Sequence, residues 1–73
     1  MERAVELRPH DFAVLYNTAC SFALAGDSER ALELLDRAVG TGRGFRAWIE
    51  QDPDLDSLRS LPRYKEILAR LPP

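Results

Sequence analysis

The stretch that decides the fold is FAVLYNTACSFALAGDSERALELLDRAV, residues 12–39. Residues 12–25 are apolar at helical spacing and include no Asp, Glu, Lys or Arg. The second half has one apolar stripe at helical spacing, formed by Ala31, Leu32, Leu35, Ala38 and Val39. Between the halves, Gly26 predicts a left-handed residue at the end of the first helix. The sequence therefore predicts an all-α fold built on two helices joined by a short turn.

Polar residues mark the ends of both predicted helices. Asp11 is the expected N-cap of the first helix, because its carboxylate can accept amide protons of the first turn. Either Asp27 or Ser28 can cap the second helix, and Gly40 ends it. Since the first helix is apolar on nearly every side, we expect it to be covered on more than one face.

Shorter helices are predicted on the C-terminal side. Residues 45–50 (FRAWIE) form a short helix, and we expect Trp48 in the core rather than stacked on a ligand. Residues 55–60 form one or two further turns, and Pro62 is the expected first residue of a last helix that runs through residues 63–70. The predicted inward-facing residues of these three segments are Phe45, Trp48 and Ile49, then Leu55 and Leu58, then Tyr64, Ile67, Leu68 and Leu71.

A short internal echo links the N-terminal residues to this helical pair. Residues 1–8 have the composition of the end of a helix that begins earlier, and Pro9 stops it. The tripeptide Arg3-Ala4-Val5 recurs as Arg37-Ala38-Val39, an offset of 34 residues. A period of 34 residues is typical of the tetratricopeptide repeat, a helix–turn–helix unit.

The central unit resembles the tetratricopeptide repeat family over about 45 residues. Small residues stand where the two helices of such a unit touch, and large apolar residues fill the space beside them. The matching positions are Leu15, Ala19, Phe22, Gly26, Ala31, Leu35 and Ala38. Two positions depart from the pattern: Thr18 stands where Leu is usual, and Arg43 stands in place of the closing Pro.

The resemblance implies antiparallel helical hairpins that form a fragment of a right-handed solenoid, within a single domain of residues 1–73. Residues 1–9 would end a preceding repeat, and residues 11–43 would form a complete one. Residues 44–73 would form degenerate C-terminal helices, like those at the ends of such regions in bacterial multidomain proteins. Solenoids usually need about three units for stability, so the isolated chain is expected to self-associate or to be marginally stable.

The resemblance also implies a protein-interaction module without catalytic activity, whose partner is another protein or a peptide. In this family the first helix of each unit lines a concave groove. The candidate groove residues here are Ala13, Tyr16, Asn17, Cys20 and Leu24. Some members clamp a C-terminal carboxylate with basic side chains, but Ala47 and Gln51 stand where those bases are expected, so such a ligand is not predicted.

Other uses of the same strip remain open. It can pack against residues 1–8 and 45–50 of its own chain, or against a second copy in a homo-oligomer. An accessory domain of a larger bacterial protein could instead bind a small apolar ligand in a pocket between Tyr16, Cys20 and Trp48.

The residues with reactive side chains form no complete catalytic motif. His10 is the only histidine, and it lies in a predicted loop with no evident nucleophile or metal partner. Cys20 lies within the first helix with no basic residue one turn away, which favours a structural or groove-lining thiol. The sequence therefore predicts no catalytic residue.

Two further segments have only a partial likeness to ligand-binding loops. Asp52, Asp54 and Asp56 alternate as in a calcium loop, but Ser57 and Arg63 replace the required Gly and Glu. Caps around a proline-bounded turn explain these acids better. The glycine-rich segment 40–44 follows no predicted strand and lacks a P-loop lysine, so it is interpreted as a linker. We predict no metal and no cofactor.

Composition limits the classes of partner and the compartment. The 73 residues have a formal net charge of −2, without the basic stripe of a nucleic-acid-binding protein. The longest uncharged run is shorter than the roughly 20 apolar residues that a spanning helix needs, and no targeting signal is evident. A single cysteine excludes an intramolecular disulfide and favours a cytoplasmic setting.

Overall fold

Four α-helices and one 3-10 helix form the part of the chain that the computed structural model describes, residues 11–44 and 46–71. In chain order they are α1 (Phe12–Leu24), α2 (Ser28–Gly40), α3 (Arg46–Gln51), the 3-10 helix η1 (Pro53–Leu58) and α4 (Pro62–Ala69). No strand occurs within these residues, and the predicted all-α class is therefore confirmed.

The turn between α1 and α2 closes with a Schellman motif. Gly26 adopts a φ of +84°, as predicted, and its amide donates to the carbonyl of Ala23 over 3.1 Å. The amide of Asp27 donates to the carbonyl of Phe22 over 2.9 Å, which completes the paired bonds of the motif. Asp27 rather than Ser28 is the N-cap of α2, and Asp11 caps α1 as expected.

The two long helices pack against each other as a helical hairpin. Ala19 of α1 and Ala31 of α2 have no solvent-exposed area, because their small side chains let the two backbones approach closely. Leu15 and Leu35 are likewise buried beside them. The buried hydroxyl of Thr18 donates to the carbonyl of Val14 over 2.7 Å, so a polar residue is accommodated at this position without an unsatisfied group.

The C-terminal elements extend this core. The 3-10 helix η1 packs on α1 and α2 through Leu55 and Leu58, which are both fully buried. Helix α4 packs on α2, and the predicted inward residues Tyr64, Ile67, Leu68 and Leu71 are all buried. The hydroxyl of Ser57 also donates to the carbonyl of Ala23, which ties η1 to the C-terminal turn of α1.

The prediction that Trp48 belongs to the core is wrong: this side chain is 67% exposed. Its neighbour Ile49 is 2% exposed and is the buried residue of α3. The turns predicted at residues 55–60 are the 3-10 helix Pro53–Leu58, which begins two residues earlier, and α4 begins at Pro62 as predicted. Other predicted helix ends differ from the observed ones by about one residue.

No helix within residues 11–44 and 46–71 is long and apolar enough to cross a bilayer. The predicted half-repeat of residues 1–9, His10 and Phe45 lie outside the described residues.

Candidate functional site

A cavity of about 370 Å³ opens beside the N-terminal half of α1. Helix α1 forms one wall, and α3 with the residue that caps η1 forms the other. The lining residues are Phe12, Ala13, Tyr16, Asn17, Trp48, Ile49 and Asp52. Trp48 lies at the solvent-facing rim, since two thirds of its surface is exposed.

Two aromatic rings of α1 are stacked along the wall of this cavity. The ring centroids of Phe12 and Tyr16 are 5.6 Å apart, and the ring planes differ by 21°. This stacking follows from helical spacing, because residues four apart lie on the same face. Gly44 packs under the Phe12 ring: a Cβ built on Gly44 would lie 2.9 Å from that ring. Gly44 has a φ of +108°, so both backbone and contact require glycine there.

Asp52 joins η1 to α1 through one carboxylate. It is the N-cap of η1, and its Oδ1 accepts the amide proton of Asp54 over 2.9 Å. Its Oδ2 accepts the hydroxyl proton of Tyr16 over 2.5 Å. The thiol of Cys20 lies 3.9 Å from the same oxygen. The carboxylate therefore fixes η1 against the middle of α1.

The two protonated side chains that face Asp52 hold their protons strongly. Burial, together with the negative charge of Asp52, raises the pKa of the Cys20 thiol from 9.0 to about 11. Burial and the hydrogen bond to Asp52 raise the pKa of the Tyr16 hydroxyl well above its ordinary value. At neutral pH both groups are hydrogen-bond donors to the carboxylate, and neither is a nucleophile.

The same residues make a poor metal site. Potential ligand atoms of Cys20, Asp52 and Asp54 lie within 4.8 Å of one another. A thiol must lose its proton to bind a metal, however, and the raised pKa opposes that loss. Asp52 already accepts bonds at both oxygens, while Asp56 pairs with Arg59 over 2.7 Å. Capping by Asp52, as predicted for the proline-bounded turn, and pairing of Asp56 therefore account for two of the three alternating acids.

The structure brings together three of the five predicted groove residues. Ala13 and Asn17 are exposed, and Tyr16 is half-buried beside them in the cavity wall. Cys20 is only 6% exposed and lies behind Tyr16, so it does not line the cavity. Leu24 is 68% exposed but lies almost two turns beyond Asn17 and does not line the cavity either.

Sequence reasoning missed Phe12, Ile49 and Asp52 as lining residues. Ile49 was predicted to face inward, and it belongs to the core while also lining the cavity. Phe12 is partly buried against the core and lines the cavity as well. Asp52 is 36 residues from Tyr16, and no pattern in the sequence relates them. Of the three residues of the alternative ligand pocket, Tyr16 and Trp48 line the cavity and Cys20 does not.

A second depression of about 490 Å³ adjoins the cavity at the start of α1. It shares Phe12 and Ala13 with the cavity and is otherwise lined by Asp11, Thr41 and Arg43. One acidic and one basic residue thus border it, whereas Asp52 is the charged residue of the cavity itself.

Comparison with known proteins assigns no family: no protein-family model matches the chain, and no solved structure matches it significantly.

Proposed function

We propose that this domain is a protein-interaction module that binds a segment of a partner protein in the cavity beside α1. One observation carries the proposal: a large aromatic side chain, Trp48, is 67% exposed at the rim of a preformed cavity of about 370 Å³. Tryptophan and tyrosine dominate the residues that contribute most to protein interfaces. An exposed tryptophan at the rim of this cavity is therefore suited to bind a partner protein.

The composition of α1 supports the same proposal. Its thirteen residues include no charged side chain, and its exposed face carries Ala13, Asn17 and Leu24. An uncharged exposed helix face favours contact with another molecule. The amide of Asn17 can donate to and accept from a peptide backbone.

We propose further that the hairpin is a fragment of a tetratricopeptide-like solenoid. The full burial of Ala19 and Ala31 at the contact of α1 and α2 supports this assignment, since the repeat pattern requires small residues there. The same proposal includes the absence of catalysis, because Tyr16 and Cys20 hold their protons. A cytoplasmic setting, without nucleic acid or membrane as partner, follows from the composition and the single cysteine.

A second candidate is a site for a small apolar ligand. The volume of the cavity lies within the roughly 300–1,000 Å³ usual for small-molecule pockets, and three aromatic rings line it. Self-association through the same surface is a third candidate function, since a second copy of the chain would also cover Trp48.

Selection from a random peptide library displayed on phage tests the proposal. We expect peptides that bind the domain and lose at least about tenfold in affinity when Trp48→Ala is introduced. Leu24→Ala is the matched control, because Leu24 is equally exposed but lies outside the cavity. Selected peptides that bind both variants as well as the original chain, or no enrichment at all, would contradict the proposal.

A further inference from the structure

The charge of the cavity comes from one side chain. Of the seven residues that line it, only Asp52 is charged. Within residues 11–44 and 46–71, no arginine or lysine forms an ion pair with this carboxylate. The guanidinium of Arg59 donates instead to the backbone carbonyls of Glu50 and Asp52 and to the carboxylate of Asp56.

The field beside this carboxylate is negative where Cys20 lies, and the positive charge of Arg59 is paired with Asp56. Helix α1 contributes no charge, and the pKa of Cys20 rises to about 11 through burial and through the charges of Asp52 and Asp54. A cation in the cavity would therefore gain from electrostatic attraction, whereas an anion would be repelled.

The hydrogen bonds that Asp52 already accepts restrict the kind of cation that it can bind. Its two oxygens accept protons from the Tyr16 hydroxyl and the Asp54 amide. A compact cation needs several such oxygens to replace its hydration, but a diffuse organic cation needs few. Aromatic faces attract cations of this kind, and Phe12, Tyr16 and Trp48 all line the cavity.

We propose that the cavity binds a diffuse organic cation, a guanidinium or a quaternary ammonium group, carried on a side chain of the partner segment. This inference rests on the proposed function for the source of the cation. The site itself consists of Asp52 for the charge and of the three rings for the apolar surface of the cation.

Titration with small probes tests the site without a partner. Choline is compared with 3,3-dimethyl-1-butanol, its uncharged carbon analogue, and N-acetyl-arginine amide with the citrulline equivalent. Trp48 is the only tryptophan of the chain, so its fluorescence reports on the cavity directly. We expect each cation to bind at least about fivefold more tightly than its neutral analogue, and the difference to shrink as NaCl is added.

Variants assign the preference to Asp52. In Asp52→Asn, which retains an oxygen for the Asp54 amide, the cation and its analogue should bind equally. Glu33→Gln is the matched control, because it removes the same charge from the solvent-exposed side of α2 and should leave the preference intact. If circular dichroism shows Asp52→Asn to be unfolded, the salt dependence in the original chain measures the same contribution. Equal binding of cations and neutral analogues by the original chain overturns the inference.

The peptide selection separates this inference from the proposed function. Enriched peptides that depend on Trp48 but contain no arginine would overturn the cation site and leave the interaction module standing. Cation binding that depends on Asp52, without any captured peptide, would identify a free small cation as the source and overturn the interaction module.

Discussion

At the scale of single residues, Asp52 holds the two walls of the cavity together. Its carboxylate caps η1, accepts the proton of Tyr16 and faces the cavity. A carboxylate in a partly buried position is costly unless it is hydrogen-bonded, and the Tyr16 hydroxyl and the Asp54 amide meet that requirement. The hydrogen bond from Tyr16 thus links α1 to η1. It also stabilises the carboxylate of Asp52, the only charged group in the cavity lining.

Replacing Tyr16 by phenylalanine isolates that bond. We expect Tyr16→Phe to lower the free energy of unfolding by about 1.5 kcal/mol, because a charge-assisted hydrogen bond is lost while the stacked ring is kept. Urea denaturation followed by circular dichroism measures it. Tyr64→Phe is the control: its hydroxyl accepts only a 3.3 Å bond from Arg59, and about 0.5 kcal/mol is expected. Equal losses of unfolding free energy in the two variants would show that the Tyr16–Asp52 bond stabilises the fold no more than the longer bond of Tyr64 does.

At the scale of elements, the inward faces of the long helices were predictable, whereas that of the short helix α3 was predictable only in part. In α1 and α2 the apolar period extends over three turns, so helix type and inward face follow from the sequence. Helix α3 has only six residues. Trp48 and Ile49 are adjacent and point about 100° apart on it, so one neighbouring surface buries Ile49 and leaves Trp48 outside.

The candidate site was predictable only where it lies on one helix. Ala13, Tyr16 and Asn17 share a face of α1, and helical spacing alone groups them. The other wall depends on how α3 and η1 fold back onto α1, which is a long-range contact that no local pattern encodes. Cys20 was misplaced for the same reason, because η1 covers the part of α1 on which it lies.

Helix α4 offers a test of what holds an element in place. Its ion pairs to α2 join Asp36 with Arg63 and Arg70, whose side chains are more than half exposed, whereas Ile67 is 3% exposed. We expect Ile67→Ala to cost about 2–4 kcal/mol of unfolding free energy and Asp36→Asn less than about 1 kcal/mol. Thermal and urea denaturation of both variants measure the two losses. A larger loss for Asp36→Asn would mean that charge, not apolar packing, attaches α4.

At the scale of the whole molecule, one continuous core links the hairpin, η1 and α4. Its apolar residues come from all five elements, so opening η1 exposes α1 as well. Two groups that ionise at high pH, Cys20 and Tyr16, lie where η1 meets α1. The stability of the whole fold should therefore depend on alkaline pH.

The direction of that dependence follows from the pKa of Cys20. In the unfolded chain the thiol releases its proton near pH 9.0, but in the fold only near pH 11. Between these values the folded state binds more protons, so stability is full below pH 9 and falls as pH rises towards 11. The loss amounts to at most about 3 kcal/mol. The raised pKa of Tyr16 acts in the same direction from about pH 10 upward, since 10.0 is the ordinary pKa of a tyrosine hydroxyl.

Urea denaturation at a series of pH values from 8 to about 11 measures this loss, with Cys20→Ala as the variant that removes the titrating group. Cys20→Ala also loses packing, so its stability at pH 8 will be lower, but the quantity of interest is the slope with pH. We expect the variant to lose less stability than the original chain between pH 9 and 11, because only the original chain must hold a buried thiol protonated there. Parallel curves would mean that the thiol ionises as readily in the fold as in the unfolded chain, and that η1 does not shield the middle of α1.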